Sequence, residues 1–158
     1  MKRSIIDGFL FAFSYFTVLP TFKHNLQIDK TTYTSMLFFT PFAGAIIAVI
    51  TIYTAILLNN FYAPIYSIIV SSIIYLTLYG FIHLEAIADV IDAWMAKYSN
   101  KDIYEIMKEP QIGSIGAIGT FCFILLKIGA IVYLLLDEKF FIFVSIVILS
   151  RFSIIYNL

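Results

Sequence analysis

Five long apolar runs limit what this chain can fold into. Charged residues are rare inside these runs, which cover residues 5–19, 36–58, 64–82, 112–136 and 140–158. A helix needs about 20 apolar residues to cross the hydrocarbon core of a bilayer, and the second, third and fourth runs are long enough. Backbone polar groups in hydrocarbon must be paired within the protein, and the runs lack the alternation typical of barrel strands. The runs therefore predict helices.

The composition also indicates a membrane protein. Of the 158 residues, 61% are hydrophobic and 13% are charged, whereas soluble domains carry about 25% charged residues. The formal net charge is zero, so no basic field favours nucleic acid as a partner. We predict an all-α fold, a polytopic membrane helical bundle of about four to five membrane-embedded segments, forming one domain over residues 1–158.

The lysines predict how the runs are oriented. The stretch 83–111 carries Lys97, Lys101 and Lys108, whereas the loop between the second and third runs carries no charge. By the positive-inside rule, the stretch 83–111 faces the cytoplasm. The first run has basic residues at both ends and spans only about 22 Å, so we predict a re-entrant or interfacial helix there.

One stretch of this apolar chain is acidic. Glu85, Asp89 and Asp92 are spaced i, i+4 and i+7, which places them within an arc of about 60° on one helix face. We predict that this helix continues out of the third run. Neighbouring carboxylates on a helix repel one another, and the cost of three anions is larger at a membrane boundary.

Two interpretations of the acidic face are open from the spacing alone. The first is a solvated face where a helix leaves the bilayer. The second is a site for a divalent cation, for which oxygen-only ligands favour Mg²⁺ or Mn²⁺. Mg²⁺ is usually held by one or two carboxylates together with substrate phosphates, so a metal site here predicts phosphoryl chemistry.

Small and charged residues in the later runs add further candidates. Gly113, Gly116 and Gly119 open the fourth run, and their spacing suits either close packing of helices or a phosphate at backbone N–H groups. Lys127 lies near the centre of that run, where a charge costs at least about 2.5–3.5 kcal/mol on insertion scales. We expect Lys127 to pair with a carboxylate or hold a phosphate. Arg151 in the fifth run raises the same question with less force.

Several short motifs follow one another in a fixed order. They read "FTVLP", "FFTPFAGAIIAVI", "HLEAIADVIDAW", "EIMKEPQIGSIG" and "LLK". In this order and spacing they resemble the cobalamin synthase family, the adenosylcobinamide-GDP ribazoletransferases. The family's acidic signature is approximately His-Leu-Asp-Gly-Leu-Ala-Asp-Thr-x-Asp-Gly. The resemblance covers nearly the whole chain and corresponds to the N-terminal part of the family's length, which implies a C-terminally truncated chain.

The resemblance implies roles for individual residues by position. Glu85, Asp89 and Asp92 would hold Mg²⁺. Lys108 and Glu109 fall on a Lys-Asp pair of the family, and Lys127 falls on its membrane lysine. The implied catalytic residues are Asp89, Asp92, Lys108 and Lys127, and the implied cofactor-binding residues are Gly113, Gly116 and Glu109.

The resemblance also implies an activity, partners and a location. The implied reaction joins adenosylcobinamide-GDP to α-ribazole, or to its 5′-phosphate, and releases GMP. The implied location is the bacterial cytoplasmic (inner) membrane, with multiple passes and with the acidic stretch on the cytoplasmic side. Besides the two substrates and the lipid bilayer, the implied partners are further copies of the chain or other cobalamin-assembly enzymes.

The acidic signature departs from the family pattern at four positions. Glu85 replaces an aspartate, Ala86 and Ala93 replace glycines, and Val90 replaces a threonine. If the glycines admit a substrate phosphate to the backbone, the added Cβ atoms would intrude.

Two other classes of protein compete with this interpretation. A CDP-alcohol phosphotransferase also carries aspartates at a membrane helix end, but its Asp-Gly-x-x-Ala-Arg motif has an arginine that "EAIADV" lacks. A non-enzymatic transport or assembly subunit would use the carboxylates and Lys127 as an ion relay. Such a subunit would function without nucleotide and without Mg²⁺.

Overall fold

The fold is helical throughout the part of the chain that the computed structural model describes, residues 2–19, 29–81, 84–99 and 111–156. No strand occurs in these ranges, so the predicted all-α class is confirmed. A short 3-10 turn at Lys97–Ser99 follows the fourth helix. The helices are α1 (Lys2–Phe16), α2 (Lys30–Asn59), α3 (Pro64–Leu78), α4 (Leu84–Ala96), α5 (Ser114–Leu136) and α6 (Phe140–Tyr156).

Two of the described helices, α2 and α5, are long and apolar enough to cross a membrane. They contain 30 and 23 residues. The apolar helices α1, α3 and α6 are shorter, and the prediction that the third run is long enough to cross was wrong, because α3 has only 15 residues. At 1.5 Å per residue such a helix covers roughly 22 Å. The set of apolar helices is consistent with a membrane helical bundle.

Helix α2 begins earlier than its apolar run. The side chain of Asp29 accepts a hydrogen bond from the Thr32 N–H at 2.7 Å, which caps the helix and lowers the pKa of that carboxyl. Pro41 lies inside the helix and is tolerated there, as prolines are in apolar spans. The cap explains why α2 begins at Lys30 and not at the first residue of the run.

Two residues with left-handed backbone conformation separate α3 from the acidic stretch. Gly80 has φ 74° and Phe81 has φ 54°, so two consecutive residues are left-handed. Right-handed helix cannot continue through them, and the left-handed form costs a non-glycine residue about 1–2 kcal/mol. The prediction that the acidic helix continues out of the third run was therefore wrong. The acidic helix α4 is a separate element that begins at Leu84.

Internal contacts divide the chain into two compact units, and the predicted single membrane domain over residues 1–158 stays a prediction. The first comprises Met1–Gly80 and Ile131–Leu158, and the second comprises Phe81–Ala130. In the first unit α2 is central and packs against α1, α3 and α6. Its core includes Ala12, Phe16 and Met36.

Buried hydroxyls in the first unit bond to their own helices. Thr40 donates to the Met36 carbonyl at 2.9 Å, and Thr51 donates to the Ile47 carbonyl at 2.8 Å. On α3, the Ser71 and Ser72 hydroxyls each donate, at 2.8 Å, to the carbonyl of the residue four positions earlier. Because each hydroxyl is satisfied locally, these small side chains pack between helices without an external partner.

Candidate functional site at the acidic helix

The acidic face predicted from the spacing lies on α4. Glu85 is exposed, while Asp89 and Asp92 are partly buried. The packed side of the helix consists of alanines, with Ala88 2% and Ala93 3% exposed. Small side chains therefore bring the α4 backbone close to its neighbour, and the carboxylates lie beside that contact.

Asp92 is bound to the start of α5 through both carboxylate oxygens. Its Oδ2 accepts the Gly113 N–H at 2.7 Å, and its Oδ1 accepts the Gly116 N–H at 2.7 Å. Because α5 begins at Ser114, these N–H groups belong to the helix N-terminus, which has no intrahelical acceptor for them. A carboxylate there also meets the positive end of the helix dipole. Asp92 therefore joins α4 to α5.

Glycines at the start of α5 and just before it make this contact sterically possible. A Cβ added at Gly113 would lie 2.6 Å from Asp92 Oδ1. A Cβ added at Gly116 would overlap Asp92 Oδ2 and lie 2.7 Å from the Ala88 carbonyl oxygen. At Gly119 a Cβ would lie 2.7 Å from the Cδ1 of Ile91. Close packing, one of the two interpretations of the spacing, is thus observed, and a phosphate role for Gly113 and Gly116 stays a prediction.

The other two carboxylates of the acidic face remain open. Within the described ranges, neither Glu85 nor Asp89 makes a hydrogen bond or ion pair with another side chain. No group of three or more histidine, cysteine, aspartate or glutamate side chains in those ranges lies close enough together to hold a metal. A donor set of Glu85 and Asp89, one helical turn apart, still fits a Mg²⁺ ion that takes its remaining ligands from phosphate and water.

A cavity of about 320 Å³ lies beside Glu85 in the same unit. Its walls are mainly apolar and include Ala88, Ala117 and Phe121. Thr120 also lines it, and the Thr120 hydroxyl is buried with no hydrogen-bond partner among the residues that the structure describes. No pattern in the sequence distinguishes this threonine from the self-bonded ones of α2, so sequence reasoning missed it.

The remaining predicted site residues lie elsewhere. Lys127 is partly buried in α5, 11 residues after Gly116, which corresponds to about 16 Å along the helix. Lys108 and Glu109 lie outside the described residues.

The positions that depart from the family pattern differ in burial. Ala86 is exposed, and Val90 is 58% exposed. Ala93 is buried, so its methyl group packs inside the unit.

The C-terminal end of α4 carries an aromatic pair. Trp94 is 60% exposed, and its ring meets that of Tyr98 edge-on at 5.9 Å between centroids. Trp94 lies two residues after Asp92, so this indole shares α4 with the acidic face.

The described residues form an all-α protein whose apolar helices are consistent with a membrane bundle and whose helix α4 carries an acidic face. The sequence model of the cobalamin-5-phosphate synthase family matches residues 8–158. The chain therefore belongs to the cobalamin-5-phosphate synthase family, and the resemblance found from the motifs is confirmed. This membership favours the cobalamin synthase interpretation over the two competing classes, a CDP-alcohol phosphotransferase and a transport or assembly subunit.

Curated relatives support the same family. The adenosylcobinamide-GDP ribazoletransferase of Treponema denticola is 33% identical over 122 residues, which cover 77% of this chain and 46% of the relative. That of Clostridium botulinum strain Okra is 30% identical over 154 residues, 98% of this chain and 62% of the relative. The chain thus spans about half to three-fifths of the length of these relatives. No solved structure matches the chain significantly.

Proposed function

We propose that this chain takes part in transferring the phospho-corrinoid group of adenosylcobinamide-GDP to α-ribazole or its 5′-phosphate. The products would be adenosylcobalamin, or its 5′-phosphate, and GMP. Family membership and the names of the curated relatives support this reaction class. The observation that carries the proposal is the acidic face of α4, where Asp92 is fixed by two N–H groups and two carboxylates stay open.

Each carboxylate has its own part in this proposal. Glu85 and Asp89 would hold Mg²⁺, which when bound neutralises charge on phosphate oxygens. Asp92 fixes the position of α5 relative to α4, and its oxygens keep lone pairs for a shared role in the metal site. Lys127, with Lys108 and Glu109, would bind the phosphates or position the residues that do.

The cavity beside Glu85 is suited to an uncharged part of a substrate. Its apolar walls exclude a phosphate, while the Thr120 hydroxyl would donate to a nitrogen or oxygen acceptor. A cavity of this size belongs to the range of small-molecule sites. We therefore assign it to a substrate portion that carries few polar atoms.

We also propose where the protein acts. The apolar helices would lie in the bacterial inner membrane, with α1 interfacial or re-entrant, and the stretch 83–111 would face the cytoplasm. This orientation offers the acidic face to water-soluble nucleotide substrates.

Release of GMP tests the proposal. Purified chain would be given adenosylcobinamide-GDP, α-ribazole and Mg²⁺, with a full-length relative as the positive control. We expect Mg²⁺-dependent GMP release that EDTA abolishes. Absence of GMP, under conditions where the relative is active, would contradict the proposed activity for this chain.

Substitution of Asp89 tests the metal role. Asp89→Asn should lower GMP release by at least about 100-fold, because one open carboxylate of the metal site is lost. Asp137→Asn is the matched control, since Asp137 is exposed in a turn of the first unit and pairs with Lys139 at 2.9 Å. Turnover retained in Asp89→Asn would remove the proposed metal role of Asp89.

A further inference from the structure

Arg151 on α6 is the most completely buried charged side chain in the described part of the first unit. Only 1% of its surface is exposed. Its Nε, Nη1 and Nη2 atoms are each buried, and none has a hydrogen-bond partner among the described residues. An entire guanidinium, with five N–H donors, is therefore left without an acceptor there.

Three helices shape the surroundings of this guanidinium. Its Cζ lies 5.1 Å from the centroid of the Tyr79 ring, which stacks on Tyr75 with centroids 6.3 Å apart. On α2, Gly44 makes room for the side chain, because a Cβ there would overlap Nη1 and lie 2.8 Å from Cδ. The ring contact stabilises the face of the cation, whereas its N–H groups project from the edge and stay unpaired.

The charge cannot be removed by proton loss, because arginine stays protonated in proteins. A buried charge without a partner is strongly unfavourable in a protein interior and in a membrane. No described carboxylate forms an ion pair with Arg151, and Asp137, on the same unit, pairs with Lys139 instead. Within the described residues the guanidinium therefore has no oxygen acceptor.

We propose that Arg151 binds a phosphate-type oxyanion, with two N–H groups of its planar fork donating to two oxygens and Tyr79 supporting the face. Bidentate recognition of this kind is what distinguishes arginine from lysine. The nitrogens are now covered, so binding displaces some of the packing at their edge. Two sources share this chemistry, the phosphates of the proposed substrates and the headgroup of an anionic phospholipid. The substrate source rests on the proposed function, and the lipid source does not.

Thermal unfolding with inorganic pyrophosphate tests the proposal. The chain would be purified in an uncharged detergent, with EDTA present so that the acidic helix recruits no metal, and unfolding would be followed by circular dichroism. At about ten times its Kd, pyrophosphate should raise Tm by about 3–6 °C. The Asp89→Asn variant should keep this shift, because with EDTA present no metal ion joins Asp89 to the pyrophosphate.

Two variants of Arg151 separate binding from folding. Arg151→Met fills the space without a charge and is expected to fold, since apolar replacements of buried charges are often tolerated. It should lose the shift in Tm. Arg151→Lys keeps the charge but loses the fork, so its Kd should rise by at least about tenfold. If Arg151→Met does not fold, Arg151→Lys alone decides, and an unchanged Kd overturns the proposal.

A further experiment in lipid nanodiscs identifies whether the oxyanion comes from a lipid headgroup or from a substrate. In nanodiscs, replacing phosphatidylcholine by phosphatidylglycerol should raise Tm only if a headgroup occupies the site, and Arg151→Met should abolish that rise. A pyrophosphate shift in both lipids indicates a substrate phosphate. If neither probe raises Tm in the unmodified chain, or if Arg151→Met responds equally, the proposal fails. Because no step requires turnover, that failure is distinct from absence of GMP release.

Discussion

Asp92 in the second unit and Arg151 in the first differ in how their charges are satisfied. In the second, both oxygens of Asp92 accept N–H groups from the start of α5 at 2.7 Å. In the first, Arg151 is more deeply buried and has no described acceptor. A helix N-terminus supplies spare donors to a carboxylate, whereas mid-helix carbonyls are already bonded and offer little to a cation. The hydrogen-bonding capacity of Asp92 is thus met within the described part of the chain, whereas that of Arg151 is not.

Removal of the Asp92 carboxylate should have the largest effect on the free energy of unfolding. Asp92→Ala deletes two charge-assisted hydrogen bonds and leaves two N–H groups of α5 without acceptors, so we expect a loss of about 2–4 kcal/mol. Circular dichroism during denaturation would measure it. Asp89→Asn is the control, with a change below about 0.5 kcal/mol, because no described side chain bonds to Asp89. Equal losses in both variants would mean that Asp92 is no more anchored than Asp89.

A side chain that prevents α4 and α5 from packing closely should have the next largest effect on the free energy of unfolding. Gly116→Ala places a Cβ against Asp92 and the Ala88 carbonyl, and we expect it to destabilise the fold by about 1–3 kcal/mol. Gly129, on the same helix, has open space around it, so Gly129→Ala should stabilise by about 0.5–1 kcal/mol through helix propensity. The opposite signs would be read from paired unfolding curves. A neutral Gly116→Ala would contradict the close contact.

Removal of a single buried threonine hydroxyl should have the smallest effect on the free energy of unfolding. Thr120→Val removes a buried hydroxyl without a described partner and should be neutral or stabilising by up to about 1 kcal/mol. Thr51→Val removes a hydroxyl that bonds the Ile47 carbonyl and should cost up to about 1 kcal/mol. If substrate uses the Thr120 hydroxyl, KM of Thr120→Val should also rise. A destabilising Thr120→Val would indicate that the hydroxyl has a partner.

Helices and the acidic face could be predicted from the sequence because both depend on local periodicity. The break before α4 could not, since nothing in the identity of Phe81 signals a left-handed residue, although Gly80 beside it permits one. The hydrogen-bond partners of Asp92 could not be predicted from the sequence either. The glycine spacing indicated a close approach, but the approaching group lies 21 and 24 residues away in sequence, and tertiary packing selects it.

The two basic residues of the later runs show the same limit. Lys127 carries the stronger sequence argument because its depth along an apolar run is visible in one dimension. Depth does not reveal which side of a helix faces its neighbours. In the structure Arg151 is the fully buried one and Lys127 is partly buried, since α6 packs that face against α2.

Trp94 is the single tryptophan of the chain and lies on α4. Excitation at the red edge of protein absorption therefore addresses one indole, two residues from Asp92, with Tyr98 as its described aromatic neighbour. Emission changes on adding Mg²⁺ or nucleotide would therefore report on the surroundings of α4. The protein thus carries a native fluorophore on the helix that bears the acidic face.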